Sequence, residues 1–456
     1  MNKFDKPSVS FVIPKLYFDG YKPFAPVAVG PALLATILQQ RGYDVRVCDE
    51  SRTPLFKRGK LRKEIAESDV IGAYIISPAA ERGYMILEQA KRQNPRIKTM
   101  LGGAHASLLP QEAREHADVV VVGEAEGAIE DAVNSLTDVV QGGRVENLDE
   151  LPIANLNLVE GYEHRLLRER FLGRVIPISS ARGCPNLCSF CSVPLISGRK
   201  IRSMSAERMF YEVEQRVAEG YHVFFITDDN YSIGRQKQVR REFHERIARN
   251  GLGKKISLTI QDEAVMYKTP KGEVDRDYLD SMRDAGVRRV MIGIETINPE
   301  ARKEAGKRGK LEDVIGCVGE LQKRGINVHA FCIVGFPHDN PETIRETVDF
   351  CRRLGIKTAQ FSTLTPFPGT PLYEEMKGIL RDVAKRGWNY YDGLQVMFKH
   401  PEMKPEELFR NMQKAWKRFY PWLDTLKSLM KGKVNGAIVN TGGRLAANRI
   451  GHLEPV

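Results

Sequence analysis

Cysteine is scarce in this chain: seven in 456 residues, unevenly placed, which excludes a disulfide framework as the source of stability. Long apolar runs are missing as well. No stretch approaches the ~20 uninterrupted apolar residues that span a bilayer, and the opening Met1-Asn2-Lys3-Phe4-Asp5-Lys6 lacks the apolar centre of a signal peptide. Together these give the expectation of a cytoplasmic protein. Tryptophan occurs three times, and no RNP-like or OB-like aromatic pattern is present to stack bases, so nucleic acid is set aside as a partner. Acidic residues are outnumbered, 58 against 69 Lys and Arg, leaving a net charge of +11. The surplus is uneven: from Lys404 to Val456 ten basic residues face four acids. Such a tail suits an anionic lipid surface, a phosphorylated substrate, or no partner beyond water. What remains is ordinary for a globular protein, 42% hydrophobic and 28% charged, and long enough for two or three domains.

Four of the cysteines, Cys48, Cys317, Cys332 and Cys351, stand singly in apolar patterns and read as small buried hydrophobes. The other three crowd into Arg182-Gly183-Cys184-Pro185-Asn186-Leu187-Cys188-Ser189-Phe190-Cys191. Structural zinc takes four Cys or His ligands, and neither a second C-x-x-C nor a nearby His completes this set. Three thiolates on a [4Fe-4S] cube, by contrast, leave one iron open to a small molecule. No second cluster is expected.

Up to residue ~140 the chain repeats a strand-then-helix rhythm, which implies a parallel sheet with helices on both faces. Strands are expected at Val9 to Pro14, Asp44 to Cys48, Val70 to Ser77, Lys98 to Gly102 and Val119 to Gly123, with a helix from Pro31 to Arg41. Their near-continuous apolar character suits burial on both faces. Ligands of such sheets sit beyond the strands' carboxyl ends, where this chain has Ser77, Gly102-Gly103-Ala104-His105 and Gly123-Glu124-Ala125-Glu126. After a looser stretch the rhythm returns. Strands at Val175 to Ser180, Val223 to Thr227, Ile256 to Ile260, Val290 to Ile294, Val328 to Val334 and Thr358 to Leu364 each run into a polar or glycine-rich loop, and those loops share one face.

The C-x3-C-x2-C spacing with Phe190 before its last cysteine resembles the signature of the radical S-adenosylmethionine (SAM) enzymes, and the six strands match their partial barrel. The Gly-Gly-x-His and Gly-Glu-x-Glu loops resemble the cobalamin-binding domain fused to one class of that family. The resemblance covers about 370 residues. It implies an α/β protein with a doubly wound, Rossmann-like domain of cobalamin-binding type at 1–142, a linker at 143–168, a partial (β/α)6 barrel at 169–376, and a mainly helical region at 377–456.

What it implies for chemistry follows residue by residue. Cys184, Cys188 and Cys191 would hold a [4Fe-4S] cluster; Phe190, Asp228, Asp229, Asn230, Glu295 and Gly335 would bind SAM; Ser77, Gly102, Gly103, His105, Gly123, Glu124 and Glu126 would line cobalamin. Two departures stand out: Asp228-Asp229-Asn230 replaces the usual Gly-Gly-Glu, and the Asp-x-His-x-x-Gly motif that supplies a cobalt ligand is missing. His105 is therefore expected beside the corrin rather than on cobalt. No catalytic side chain is named.

The leading expectation is a cobalamin-dependent methyltransferase acting on an unactivated carbon or phosphorus of a small molecule or lipid, with flavodoxin or ferredoxin as electron donor. Two alternatives stay open: a cobalamin-free radical SAM enzyme that makes or rearranges carbon-carbon bonds in a lipid or isoprenoid, and a non-enzymatic cobalamin sensor or carrier with a structural cluster. Leu408, Met412, Ala415, Trp416 and Phe419 recur at helical spacing with basic residues between them. They read either as core packing or as a basic helix lying at the inner membrane surface.

Overall fold

The computed structural model describes residues 6–16, 29–135, 138–162, 174–382, 387–422, 424 and 434–455. Six parallel strands form the first sheet: β1 (Val9–Ile13), β2 (Val45–Asp49), β3 (Val70–Tyr74), β4 (Lys98–Gly102), β5 (Val119–Val122) and β6 (Val139–Gln141). Their spatial order is β2-β1-β3-β4-β5-β6, so the winding reverses between β1 and β3, where doubly wound sheets open a ligand crevice. Side chains alternate between two cores. Phe11, Val70, Met100 and Val119 face the layer that includes helix Val29–Gln40, while Val12, Ile71, Leu101 and Val120 face helix Ala80–Gln93 through Tyr84, Ile86 and Leu87. Apolar burial on both faces explains why these strands are mostly apolar, β5 being four valines.

The second sheet is also six-stranded and parallel: β7 (Val175–Ile178), β8 (Val223–Ile226), β9 (Ser257–Asp262), β10 (Val287–Glu295), β11 (Asn327–Val334) and β12 (Thr358–Thr363). It runs in strict chain order with β7 and β12 at its edges, an open barrel. Capping follows the sequence: Ser205 accepts from the Arg208 amide to start helix Ala206–Ala218, and Asn340 caps helix Pro341–Arg353.

The stretch expected as a linker is not a loose tether. Leu148, Ala154, Leu156, Val159 and Tyr162 are buried in the same core that holds β1 and β7 residues, and Val47 bridges to Val159. Residues 163–168 of it lie outside the described residues.

At the far end, helix Pro405–Phe419 buries Leu408, Met412, Ala415, Trp416 and Phe419, so the aromatic stripe is core packing. It also finishes the barrel edge. The Trp416 indole N–H donates to the Phe361 carbonyl at 2.7 Å, and the Tyr420 hydroxyl donates to Ala359 O and accepts from Ala359 N, both at 2.8 Å. These bonds occupy backbone groups that an edge strand would otherwise leave open. The membrane reading of this stripe is thereby corrected: its apolar face is already covered. Among the described residues no helix is long and apolar enough to cross a membrane.

Candidate cofactor sites

The three-cysteine loop leaves β7 through a two-residue hairpin, Ala181–Arg182 against Arg202–Ser203. Gly183 sits at φ +93°, where a Cβ would meet Lys200 O at 2.4 Å, so only glycine turns the chain here. The Cys184 amide donates to Gly198 O and the Cys191 amide to Cys188 O, each at 3.1 Å. Cys184 is buried, Cys188 and Cys191 half-buried, and burial pushes all three thiols up, Cys191 to about 11. Among the described residues no three His, Cys, Asp or Glu stand as a finished metal cage. The thiols instead share one loop, and their number and chemistry suit a cubane with one open iron.

Around the loop lie acceptors without donors. Asn186 Oδ1, Asn230 Oδ1 and Glu263 Oε2 are buried and have no hydrogen-bond partner, which is costly unless a ligand supplies one. An ammonium group fits that need. The carboxylates of Asp228-Asp229-Asn230 divide their work. Asp228, 1% exposed, accepts from the Ser180 and Ala181 amides, the Ser180 hydroxyl and Arg240; it fixes the loop and offers nothing to a ligand. Asp229 is exposed within a recess, and the surrounding protein, with Asp228, pushes it up to about 6.

Glu295 adopts φ +63°, rare for a non-glycine residue, at a register shift between β10 and β11. Its carboxylate pairs with Lys307 at 3.0 Å, and Lys307 lies 3.6 Å from Glu263. Asn186, within the cysteine run, donates to Glu263 at 3.2 Å. Burial opposes the Lys307 charge, but Glu295 and Glu263 more than offset it and hold the amine above the usual range. Gly293 makes room: a Cβ there would lie 2.3 Å from Glu295 Oε1 and 2.8 Å from Lys307 Nζ. Glu263 and Lys307 escaped the sequence reading, although Lys307 sits between Gly306 and Gly309, both left-handed.

Gly335 takes φ +98°, and its amide and that of Phe336 donate to Asp339. Phe190 meets Phe336 edge to face at 6.4 Å, bringing the cysteine loop onto the end of β11.

At the carboxyl edge of the first sheet the loops are laced together. Ser77 Oγ lies 3.0 Å from His105 Nδ1, while His105 Nε2 lies 3.1 Å from Tyr84 Oη. With no exposed surface and both ring nitrogens engaged, His105 is not placed to ligate cobalt. The Gly102 carbonyl accepts from Ile75, Gly103 at φ +101° packs on Ile75, and the Gly123 amide donates to Ser107. Tyr74, at the end of β3 beside the β1/β3 switch point, is 37% exposed, and desolvation by the surrounding protein raises its pKa; its ring offers a flat face at the edge of the sheet. Glu124 and Glu126 turn toward the cysteine loop, where Arg182 bonds both.

Comparison with known proteins agrees with this geometry. The radical SAM superfamily matches residues 178–351 and the B12 binding domain residues 25–133. The bacteriochlorophyllide d C-12(1)-methyltransferase of Chlorobaculum tepidum is 26% identical over 410 residues, covering 88% of this chain and 84% of that protein. The anaerobic magnesium-protoporphyrin IX monomethyl ester cyclase of Rubrivivax gelatinosus is 27% identical, covering 85% and 73%. The solved structure of the radical SAM methyltransferase TsrM from Kitasatospora setae, with cobalamin and a [4Fe-4S] cluster bound, superposes with a TM-score of 0.67 at 16% identity, covering 97% of this chain and all of that one. With a three-thiol loop on a partial barrel and a B12-type sheet ahead of it, the chain belongs to the cobalamin-binding branch of the radical SAM enzymes, whose cofactors are a [4Fe-4S] cluster, SAM and cobalamin.

Proposed function

We propose that this enzyme methylates an unactivated carbon or phosphorus centre. The observation that carries the reading is the ionic contact between the strand-end loop of the B12-type sheet and the residue two before Cys184, which sets the two cofactor regions side by side. In this reading Cys184, Cys188 and Cys191 hold the cluster. Asn230, Asp229 and Glu263 would accept from the SAM ammonium, with Asn186 held on Glu263; Glu295 is oriented by Lys307, and Phe190 with Gly335-Phe336 would wall the nucleoside side. Tyr74 and the Gly103 turn line the corrin recess. Together the bound cofactors supply one-electron SAM cleavage, hydrogen abstraction and methyl delivery; the chain supplies placement and exclusion of water.

For a carbon substrate the net change replaces C–H by C–CH3. It consumes two SAM and two electrons and yields methionine, 5′-deoxyadenosine and S-adenosylhomocysteine. Flavodoxin or ferredoxin suits the electron supply, the net charge of +11 favouring an acidic carrier, and thiols that must stay reduced suit the cytoplasm. Peripheral attachment at the inner membrane would rest on exposed Trp422, with the Arg444 guanidinium 5.7 Å from its ring, rather than on the buried stripe.

The test is anaerobic turnover with candidate polycyclic and lipid substrates, following both nucleoside products. Equal yields of 5′-deoxyadenosine and S-adenosylhomocysteine support methylation. The likeness to a cyclase favours one second reading, ring closure or oxidation, and 5′-deoxyadenosine without S-adenosylhomocysteine would select it. If neither product forms in the cluster-loaded, reduced protein, the enzymatic reading fails.

A further inference from the structure

Glu124 and Glu126 follow β5, where a sheet of this type meets its ligand, but their carboxylates point elsewhere. Arg202 Nη1 donates to Glu124 Oε2 at 2.8 Å and its Nη2 to Glu124 Oε1, a bidentate fork. Arg182 reaches Glu124 at 3.0 Å and Glu126 at 2.6 Å. The Val145 amide takes a further place on Glu124 at 2.8 Å, and Arg202 also donates to the Val145 and Ser197 carbonyls. The cluster is nearly dry: the Arg202 side chain is 2% exposed, Glu124 and Glu126 10%.

Arg182 and Arg202 are direct partners across the hairpin that carries the cysteine loop. Like charges so opposed destabilise a strand pair, and burying them unpaired is strongly unfavourable. The hairpin is thus stable in this shape only while an acid from the other domain stands between its arginines. Two further contacts grip the same loop: Lys200 pairs with Glu146 at 2.7 Å, and a Cβ on Gly198 would strike the Arg144 guanidinium at 2.6 Å.

We infer that Glu124 is a positioning residue, a clamp by which the B12-type domain sets the place and register of the cysteine hairpin, rather than a cobalamin contact. The inference rests on the proposed function for the identity of the hairpin as the cluster loop. Its test needs neither turnover nor substrate.

Wild type, Glu124→Gln and Glu124→Asp are compared by amide hydrogen exchange over residues 181–204 and by titration of the unreconstituted protein with hydroxocobalamin. In Glu124→Gln, exchange across the hairpin rises about tenfold or more, since local opening follows the lost stabilisation, while the cobalamin Kd stays within about twofold. Glu124→Asp gives an intermediate rise. Reduced, reconstituted Glu124→Gln also alters the change that SAM causes in the cluster's electron paramagnetic resonance spectrum. Unchanged exchange, or weakened cobalamin binding with a quiet hairpin, overturns the inference. Should Glu124→Gln not fold, Arg182→Gln is measured instead, with the same outcomes. A wild type that never cleaves SAM sinks the proposed function and leaves these exchange measurements standing.

Discussion

The Trp388 indole N–H donates to Glu112 Oε1 at 2.8 Å, joining positions 276 residues apart. The surrounding segment is pinned as well: the Trp388 amide donates to Glu81 at 2.8 Å, and the indole meets the His105 ring edge-on at 4.9 Å. Because His105 in turn holds Ser77, residues beyond the barrel brace the loops at the carboxyl edge of the first sheet from behind. Replacing Trp388 by Phe leaves a smaller aromatic ring in place and removes the donor. Glu112 retains Tyr84, so the expected loss is about 1 kcal/mol, read from the urea midpoint, and Glu112→Gln combined with Trp388→Phe should cost less than the two changes summed.

Removing one thiol should separate the two cofactors. In Cys188→Ala, anaerobically loaded protein falls from about four irons per chain to background, keeps its cobalt, and makes no 5′-deoxyadenosine. Metal analysis decides it, and loss of cobalt together with iron would count against independent sites.

Gly293→Ala probes the recess from the back. The added methyl collides with Glu295 and Lys307 without touching a cysteine, so the fold should survive while SAM binds about tenfold or more weakly, a loss near 1.4 kcal/mol. Equilibrium binding to the cluster-loaded variant is the check. Affinity equal to wild type would remove Glu295 from the SAM site.

Two buried histidines govern part of the acid response. Burial lowers His244 and His329 to about 3 each, below the 6.5 of an unfolded chain. Between pH 6.5 and 3 the unfolded state therefore binds protons that the native state refuses, and stability falls as pH falls. Asp262, raised to about 7, and Asp229 act in the opposite sense over part of this window, so the difference between wild type and a variant carries the prediction. Relative to His329→Asn, wild type should lose about 1.4 kcal/mol per pH unit between pH 6 and 4, measured by chemical unfolding. A difference that does not change with pH would show that His329 is protonated when folded.

Much of this was legible beforehand because period and strand-end chemistry are local. Lys98 to Gly102 matches β4 to the residue. Strand β6 was not, since three residues, two of them valine, make too short a run to stand out. Side-chain roles were the harder part. Asp228 reads as a ligand until Arg240 is seen 2.8 Å away, and Glu124 until Arg202, 78 positions on, closes over it. Motifs state which residues gather at a strand end; whether each faces ligand or protein depends on partners that lie far away in the chain.

The hydroxyl of Tyr420 on Ala359 and the indole of Trp416 on Phe361 bear on how the molecule can be divided. The alternating pattern stops near residue 376, which tempts a cut there. A barrel produced without its tail would present β12 as a naked border with free amides and carbonyls, ready to recruit strands from neighbouring copies. The last helices serve as a selvedge, and the protein is best handled, shortened or grafted with that hem intact.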